Sequence, residues 1–216
     1  MMFGRKSNRF ARQDVNASIG NKPYINNELA NNLNGLCPYG NNVRIYVDTC
    51  SLLHSYGMAL LDAVENVMPL NHQQILVPSS VLYELENVGN KNNSKFRACQ
   101  EAIEKLVSME ANGSVKVVLT NSPRFSDAGF ISRFVSELQT NDIVLLTQDR
   151  KLAEKVVQLK TFLEGCISSP HTIRAFYLTA YGSLAQYENE KEISYYEYPE
   201  IQRSEKRTYP RFFFNV

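Results

Sequence analysis

Cysteine, histidine and long apolar runs are all in short supply in this sequence. The four cysteines, Cys37, Cys50, Cys99 and Cys166, lie far apart and form no C-x-x-C pair. With no signal-peptide pattern at the amino end, the simplest reading is a reduced intracellular setting, the cytoplasm. Of the three histidines, His72 and His171 fall in polar linkers and make no ligand pattern, while His54 reads as a packed residue. No Ser-His-Asp or Cys-His arrangement has support. No apolar stretch approaches the roughly 20 residues that a membrane span needs, so no membrane partner is expected. Net charge is also nearly absent. The balance of 23 basic and 22 acidic side chains leaves +1, which by itself names no partner. No segment repeats.

What is present is a chain of 216 residues, 44% hydrophobic and 21% charged, enough for one globular domain with extensions and a core that needs no staples. The charge is unevenly spread. Arg5, Lys6, Arg9, Arg12 and Lys22 face Asp14 alone near the amino end, and Arg203, Lys206, Arg207 and Arg211 face Glu205 near the carboxyl end. Basic ends on a near-neutral body suit a polyanion or an acidic protein partner; solvated tails are the equal alternative. Residues 1–42 are Asn-rich and poor in apolar side chains. They read as a largely irregular arm with a short helix at Asn27–Leu33.

From Val43 the pattern alternates. Strands are expected near 45–47, 74–77, 115–119 and 142–147, with a fifth at 162–167. Between them, helical spacing appears from Leu52 to Val67, where Pro69 ends it, and after Pro78, with Ser79 or Ser80 as cap. A polar loop follows at 89–94. Helices then cover Lys95–Met109 (apolar stripe Phe96, Cys99, Ile103, Leu106, Val107), the stretch from Asp127, and Arg150–Leu159. The alternation predicts an α/β fold of three layers, a parallel central sheet with helices on both faces. After Pro170, the spacing of Ile173, Phe176, Tyr177, Ala180 and Leu184 predicts a last helix. An aromatic, basic tail follows and closes with Phe212–Phe214, which are expected to dock on the body or on a partner.

The organising stretch is VRIYVDTCSLL, Val43 to Leu53. A buried strand there ends in Asp48-Thr49 and turns into a helix, which places an acid at the carboxyl edge of the sheet, where open α/β folds put their sites. Three more acids fall at comparable points: Glu84 one turn into the helix after the second strand, Asp127 opening the helix after the third, and Asp149 after the fourth. Like charges gathered at one edge repel unless cations sit among them. Oxygen ligands without a matching His or Cys set favour Mg²⁺ or Mn²⁺, ions suited to phosphate chemistry through an activated water and a steadied leaving oxygen. The alternative gives each acid a separate local role, with Asp127 as a helix cap, Asp149 in a turn and Glu84 at the surface. Asp142 precedes its strand and belongs to the opposite edge, and Glu86 reads as solvated. Lys91, Lys95, Arg97, Arg150 and Lys151 are candidates to line an acidic cleft and hold phosphates, each with a solvated face as its alternative.

These stretches resemble a known family. YVDTCSLLH, VPSSVLYELENV, SDAGFISRFVSEL and IVLLTQDRKL, in that order, are similar to the motifs of the PIN domain, a metal-dependent nuclease fold, in the flavour of PhoH-type and mRNA-surveillance proteins. The matching positions are Asp48, Thr49, Leu52, Leu53 and His54; Pro78, Val81, Leu82, Glu84 and Leu85, then Arg97-Ala98; and Thr147, Asp149 and Leu152. The third motif departs from the family pattern, with Gly129, Phe130, Ser132 and Phe134 in its helix, but no acid is missing. The resemblance covers about residues 43–168, and leaves 1–42 as the arm and 169–216 as a C-terminal helix and tail. It implies that Asp48, Asp127 and Asp149 bind the metal with Glu84 as a fourth acid, that Thr147 orients a ligand or a metal-bound water, and that Thr49 supports Asp48. It also implies a Mg²⁺- or Mn²⁺-dependent ribonuclease that hydrolyses single-stranded or structured RNA with a metal-activated water and leaves a 5′-phosphate and a 3′-hydroxyl. A catalytically silent scaffold in a nucleoprotein assembly, and a toxin-type nuclease of a defence system, are the alternatives. In these the arm and tail would meet a protein partner.

Overall fold

The run VRIYV forms β1, Val43–Val47, and the sheet is built around it in a computed structural model that describes residues 27–37, 42–120, 127–164 and 171–187. The expectations for residues 1–26, for the loop at 121–126, for Cys166 and for the aromatic tail lie outside these. β1 pairs in parallel with β2 (Ile75–Pro78) on one side and with β4 (Asp142–Leu146) on the other. Beyond β2 lies β3 (Val115–Val118), and beyond β4 lie β5 (Ile173–Leu178) and β6 (Leu184–Gln186), giving the order β3-β2-β1-β4-β5-β6. All neighbours are parallel except β5 and β6. β2 is buried at every position and β4 at all but Asp142. Such near-continuous apolar strands form only where both faces of a sheet are covered. The chain is an α/β protein with a mostly parallel sheet flanked by helices, as the alternation predicts.

The helices that cover the sheet are α1 (Asn27–Leu36), α2 (Thr49–Leu52), α3 (Gly57–Val67), α4 (Ser79–Lys91), α5 (Asn93–Ala111), α6 (Asp127–Glu137) and α7 (Arg150–Glu164). α1 is longer than the helix expected at Asn27–Leu33, and it buries Leu29, Leu33 and Leu36 against α3. α6 is held by a side-chain cluster. The Tyr46 hydroxyl, at the end of a fully buried ring, donates to Glu137 at 2.6 Å, and Arg133 Nε donates to that hydroxyl at 2.8 Å and to Glu137 at 3.0 Å. Burial and the Glu137 carboxylate push the Tyr46 phenol up, so it stays a neutral donor.

Several local expectations are corrected. The helix expected from Leu52 to Val67 is two helices, broken between Leu53 and Tyr56. Gly57 sits where a Cβ would meet the Leu52 carbonyl oxygen at 2.1 Å, so the turn exists only with glycine there. Gly57→Ala is expected to cost about 1–3 kcal/mol through forced backbone displacement, read as a lower unfolding midpoint in urea. Pro69 does not simply end α3 but opens a 3-10 turn, Pro69–Asn71. Neither Ser79 nor Ser80 caps α4. Ser79 instead shares a 3.0 Å hydrogen bond with the Thr120 hydroxyl and ties the end of β3 to α4. The loop expected at 89–94 shrinks to Asn92, which caps α5 by accepting from Ser94 N–H at 3.0 Å. Gly89 is helical, and its bare Cα lets α5 approach: a Cβ there would stand 3.2 Å from the Cys99 Cβ. On α5 the expected stripe keeps Cys99, Ile103 and Leu106, but Val107 is 59% exposed and Phe96 48% exposed.

The larger corrections come after α7. Residues 162–164 continue that helix rather than starting a fifth strand. Ile173–Leu178, expected as helix, is the fifth strand. In IRAFYL, apolar residues fall at both helical and alternating positions, and so short a run cannot choose between them. The unpaired edge of β4 decides, by offering Ile173–Phe176 a ladder of backbone partners. Gly182, at φ 76°, then turns the chain back into β6.

Candidate active site

The strand order reverses direction at the β1/β4 pair, since β2 and β3 lie to one side and β5 and β6 to the other. The crevice outside the carboxyl ends of such a pair is where open α/β sheets bind ligands. Register places Val47 opposite Leu146, so Asp48 and Thr147 leave the sheet side by side. Their contacts follow from this. Asp48 Oδ1 accepts from Thr49 N–H at 2.8 Å and caps α2. Its Oδ2 accepts from the Thr147 hydroxyl at 2.9 Å and from the Cys50 thiol at 2.7 Å. The buried Thr147 hydroxyl in turn accepts from Asp149 N–H at 3.0 Å. Asp149 Oδ1 accepts from Lys151 N–H at 2.8 Å and Leu152 N–H at 3.1 Å, capping α7. One hydroxyl therefore connects two acidic residues carried by the ends of neighbouring strands.

Glu84 reaches the same cleft from α4 and accepts from the Thr49 hydroxyl at 2.8 Å. Asp127 reaches it from the first turn of α6 and pairs with Lys155 of α7, Nζ to Oδ2, at 2.6 Å. A cleft of about 200 Å³ is lined by Asp48, Glu84, Asp127 and Asp149, together with Cys50 and Ser80. All four acids singled out from the sequence thus face one opening. Thr49 divides its support, its backbone N–H serving Asp48 and its hydroxyl serving Glu84. Thr147 holds Asp48 and the Asp149 backbone. Lys91, Lys95, Arg97, Arg150 and Lys151 are exposed and none lines the cleft. Arg97 is paired with Glu101 and Arg150 with Glu154, each at 2.8 Å. Asp142 lies at the opposite edge, paired in register with Val43, where it accepts from the Thr172 N–H at 2.6 Å and hydroxyl at 3.0 Å. His54 lies outside the cleft lining, its Nδ1 accepting from Tyr56 N–H at 3.3 Å.

Three participants escape a reading of the sequence. Cys50 Sγ accepts from Gln148 N–H at 3.0 Å while its thiol donates to Asp48. Burial, reinforced by the Asp48 charge, pushes its pKa up to about 12, so it is a thiol that braces Asp48 and not a nucleophile. Ser80 is buried, and its hydroxyl has no hydrogen-bond partner among the described residues although the residue lines the cleft. The signal for it was its place four residues before Glu84, on the same face of α4. Lys155 has no local signal at all, because its partner lies 28 residues away.

Among the described residues no group of three or more His, Cys, Asp or Glu side chains is arranged so as to hold a metal ion, although four acids line the one cleft. The donor set still fits a hard divalent cation in kind. Mg²⁺ is usually held by one or two carboxylates, retained waters and substrate phosphates rather than by an all-protein cage. No described group takes Asp149 Oδ2, and the orphaned Ser80 hydroxyl belongs to the same lining. No helix among the described residues is long and apolar enough to cross a membrane.

No family model matches the sequence, and no curated protein matches it. Among solved structures the chain is similar to the PIN domain endonuclease Utp24, with a TM-score of 0.44 and 13% sequence identity over 66% of this chain and 90% of that one.

Proposed function

We propose that this chain is a PIN-like nuclease that hydrolyses RNA phosphodiester bonds with Mg²⁺ or Mn²⁺. The observation that carries the proposal is the convergence of Asp48, Glu84, Asp127 and Asp149, from four separate elements, on one cleft at the point where the strand order reverses. The ordered resemblance of the four motifs that bear these acids supports it further. Asp48 and Asp149 are the groups to hold the cation, with Glu84 and Asp127 completing the negative lining. When bound, such a cation lowers the pKa of a water and stabilises charge on a leaving oxygen. The chain's own part is positioning. Thr147 aligns Asp48 with the start of α7, Cys50 braces Asp48 from the other side, and Thr49 fixes Glu84.

The test is cleavage of end-labelled single-stranded RNA by the purified chain with Mn²⁺, with EDTA as the control. Metal-dependent cleavage that EDTA abolishes is the expected result. No cleavage of any RNA or DNA by folded protein overturns the proposal. A second reading, a silent PIN-like scaffold, is favoured by one specific feature: Asp127 is already neutralised by Lys155 and Glu84 already accepts a hydroxyl, so two of the acids are satisfied without a metal. Thermal melting separates the two readings. Mn²⁺ at 100 times its dissociation constant stabilises a metal-binding fold by about 2.7 kcal/mol, whereas a scaffold does not respond.

A further inference from the structure

Among the described residues the cleft lining contains four acids and no basic side chain, which leaves a charge problem for the protein before any metal arrives. The compensating charge comes from just outside the lining. Lys155 projects from α7, a turn and a half after the Asp149 cap, and its ammonium meets Asp127 at 2.6 Å. This pair bridges α6 and α7 over the rim of the cleft. Both side chains are about half exposed, 55% for Lys155 and 41% for Asp127. Ion pairs so placed are worth little net free energy, because water competes for both partners. The link is therefore weak enough to be exchanged. The two basic residues of α7's first turn are placed differently: Arg150 is paired with Glu154, and no ion pair between Lys151 and an acid of the cleft is found among the described residues.

Resting on the nuclease reading above, we propose that Lys155 is the resident counter-ion of the acidic cleft: it neutralises Asp127 in the cation-free protein, and when a divalent cation takes over that role its freed ammonium binds an RNA phosphate. The exchange conserves charge at each stage. A dication brings two positive charges to the carboxylates, the Lys155–Asp127 attraction then competes with a stronger one, and the released ammonium lies beside a cleft whose lining, among the described residues, has no positive group for the backbone of its substrate. A point charge on a flexible stem suits such an exchange better than a planar guanidinium would.

The test uses the full chain, with Lys155→Gln to remove the charge and Lys155→Arg to keep it. Two binding readouts are taken, neither of them turnover. The first is Mn²⁺ affinity in the absence of RNA, by titration calorimetry. Lys155→Gln is expected to bind Mn²⁺ about fivefold more tightly, the order expected for removing one half-exposed like charge, and Lys155→Arg to stay near wild type. The second is the salt dependence of binding of a fluorescent oligouridylate with Ca²⁺ present. The slope of log K against log salt is expected to be shallower by about 0.7 in Lys155→Gln, one phosphate contact on a single strand. An unchanged Mn²⁺ affinity, or an unchanged salt slope, in Lys155→Gln overturns this inference alone. Wild-type protein that binds no Mn²⁺ overturns the inference together with the nuclease reading beneath it.

Discussion

Asp149→Asn is expected to leave the protein folded and to abolish metal-dependent cleavage. The reason lies in how its two oxygens are used. Oδ1 accepts the Lys151 and Leu152 N–H groups that start α7, and no described group takes Oδ2. An asparagine can keep its carbonyl at the first position and put its NH₂ at the second. Asn and Asp are equally good caps, so stability should stay within about 0.5 kcal/mol of wild type. What is lost is the charge and lone pairs that face the cleft. Even the loss of a group that only orients a metal ligand costs 10–100-fold, so losing a ligand should cost about 100-fold or more. Asp48→Asn is the instructive contrast. Both Asp48 oxygens are engaged, Oδ1 with the Thr49 N–H and Oδ2 with the Thr147 hydroxyl and the Cys50 thiol. Whichever way the amide is turned, its NH₂ replaces an acceptor that some donor needs. That variant should lose cleavage too, and also about 1–3 kcal/mol of stability. Parallel urea titrations and RNA cleavage on the two variants check this. Full activity in Asp149→Asn would remove Asp149 from the site.

The second large effect is expected at Thr147. Its hydroxyl is buried and donates to Asp48 Oδ2 while accepting from Asp149 N–H. Valine fills the same space without the oxygen. It leaves Asp48 short of a donor and the Asp149 N–H short of an acceptor, at a cost of about 1–3 kcal/mol. Thr147 touches the two acids rather than the reacting atoms, so Thr147→Val should lower cleavage by about 10–100-fold and weaken Mn²⁺ binding in parallel. Thr147→Ser keeps the hydroxyl and should restore most of both. A Val variant that loses stability but keeps wild-type Mn²⁺ affinity would show that Thr147 serves the fold alone.

These expectations depend on contacts between residues far apart in the chain, and that distance marks what could be read in advance. The apolar runs at 45–47, 74–77 and 142–147 declare strands, the last apolar enough to be buried on both faces, and their alternation with helices declares a parallel sheet. Once the sheet is parallel, an acid that directly follows a strand must sit at its carboxyl edge. Asp48 and Asp149 could therefore be placed at one edge without coordinates, and Asp142, which starts its strand, at the other. Such placements need only local pattern and the direction of the chain.

The remainder belongs to tertiary structure. The order β3-β2-β1-β4-β5-β6 cannot be read from strand sequences, yet it makes β1 and β4 neighbours and so brings Thr147 to Asp48 across 99 positions. The same order leaves β4 with a free edge, which draws Ile173–Leu178 into the sheet although its spacing fits a helix equally well. From the sequence, Cys50 is an ordinary residue after Asp48. Only the closure of the β4–α7 turn onto it, through the Gln148 N–H, makes it a half-buried thiol held against a carboxylate. Lys155 is one of several lysines until α6 and α7 pack side by side. Local sequence determines which residues stand at an edge, because backbone direction and burial are local properties of a strand. Which of them touch is decided by strand order and helix packing, because those are set by the free energy of burying the whole sheet at once.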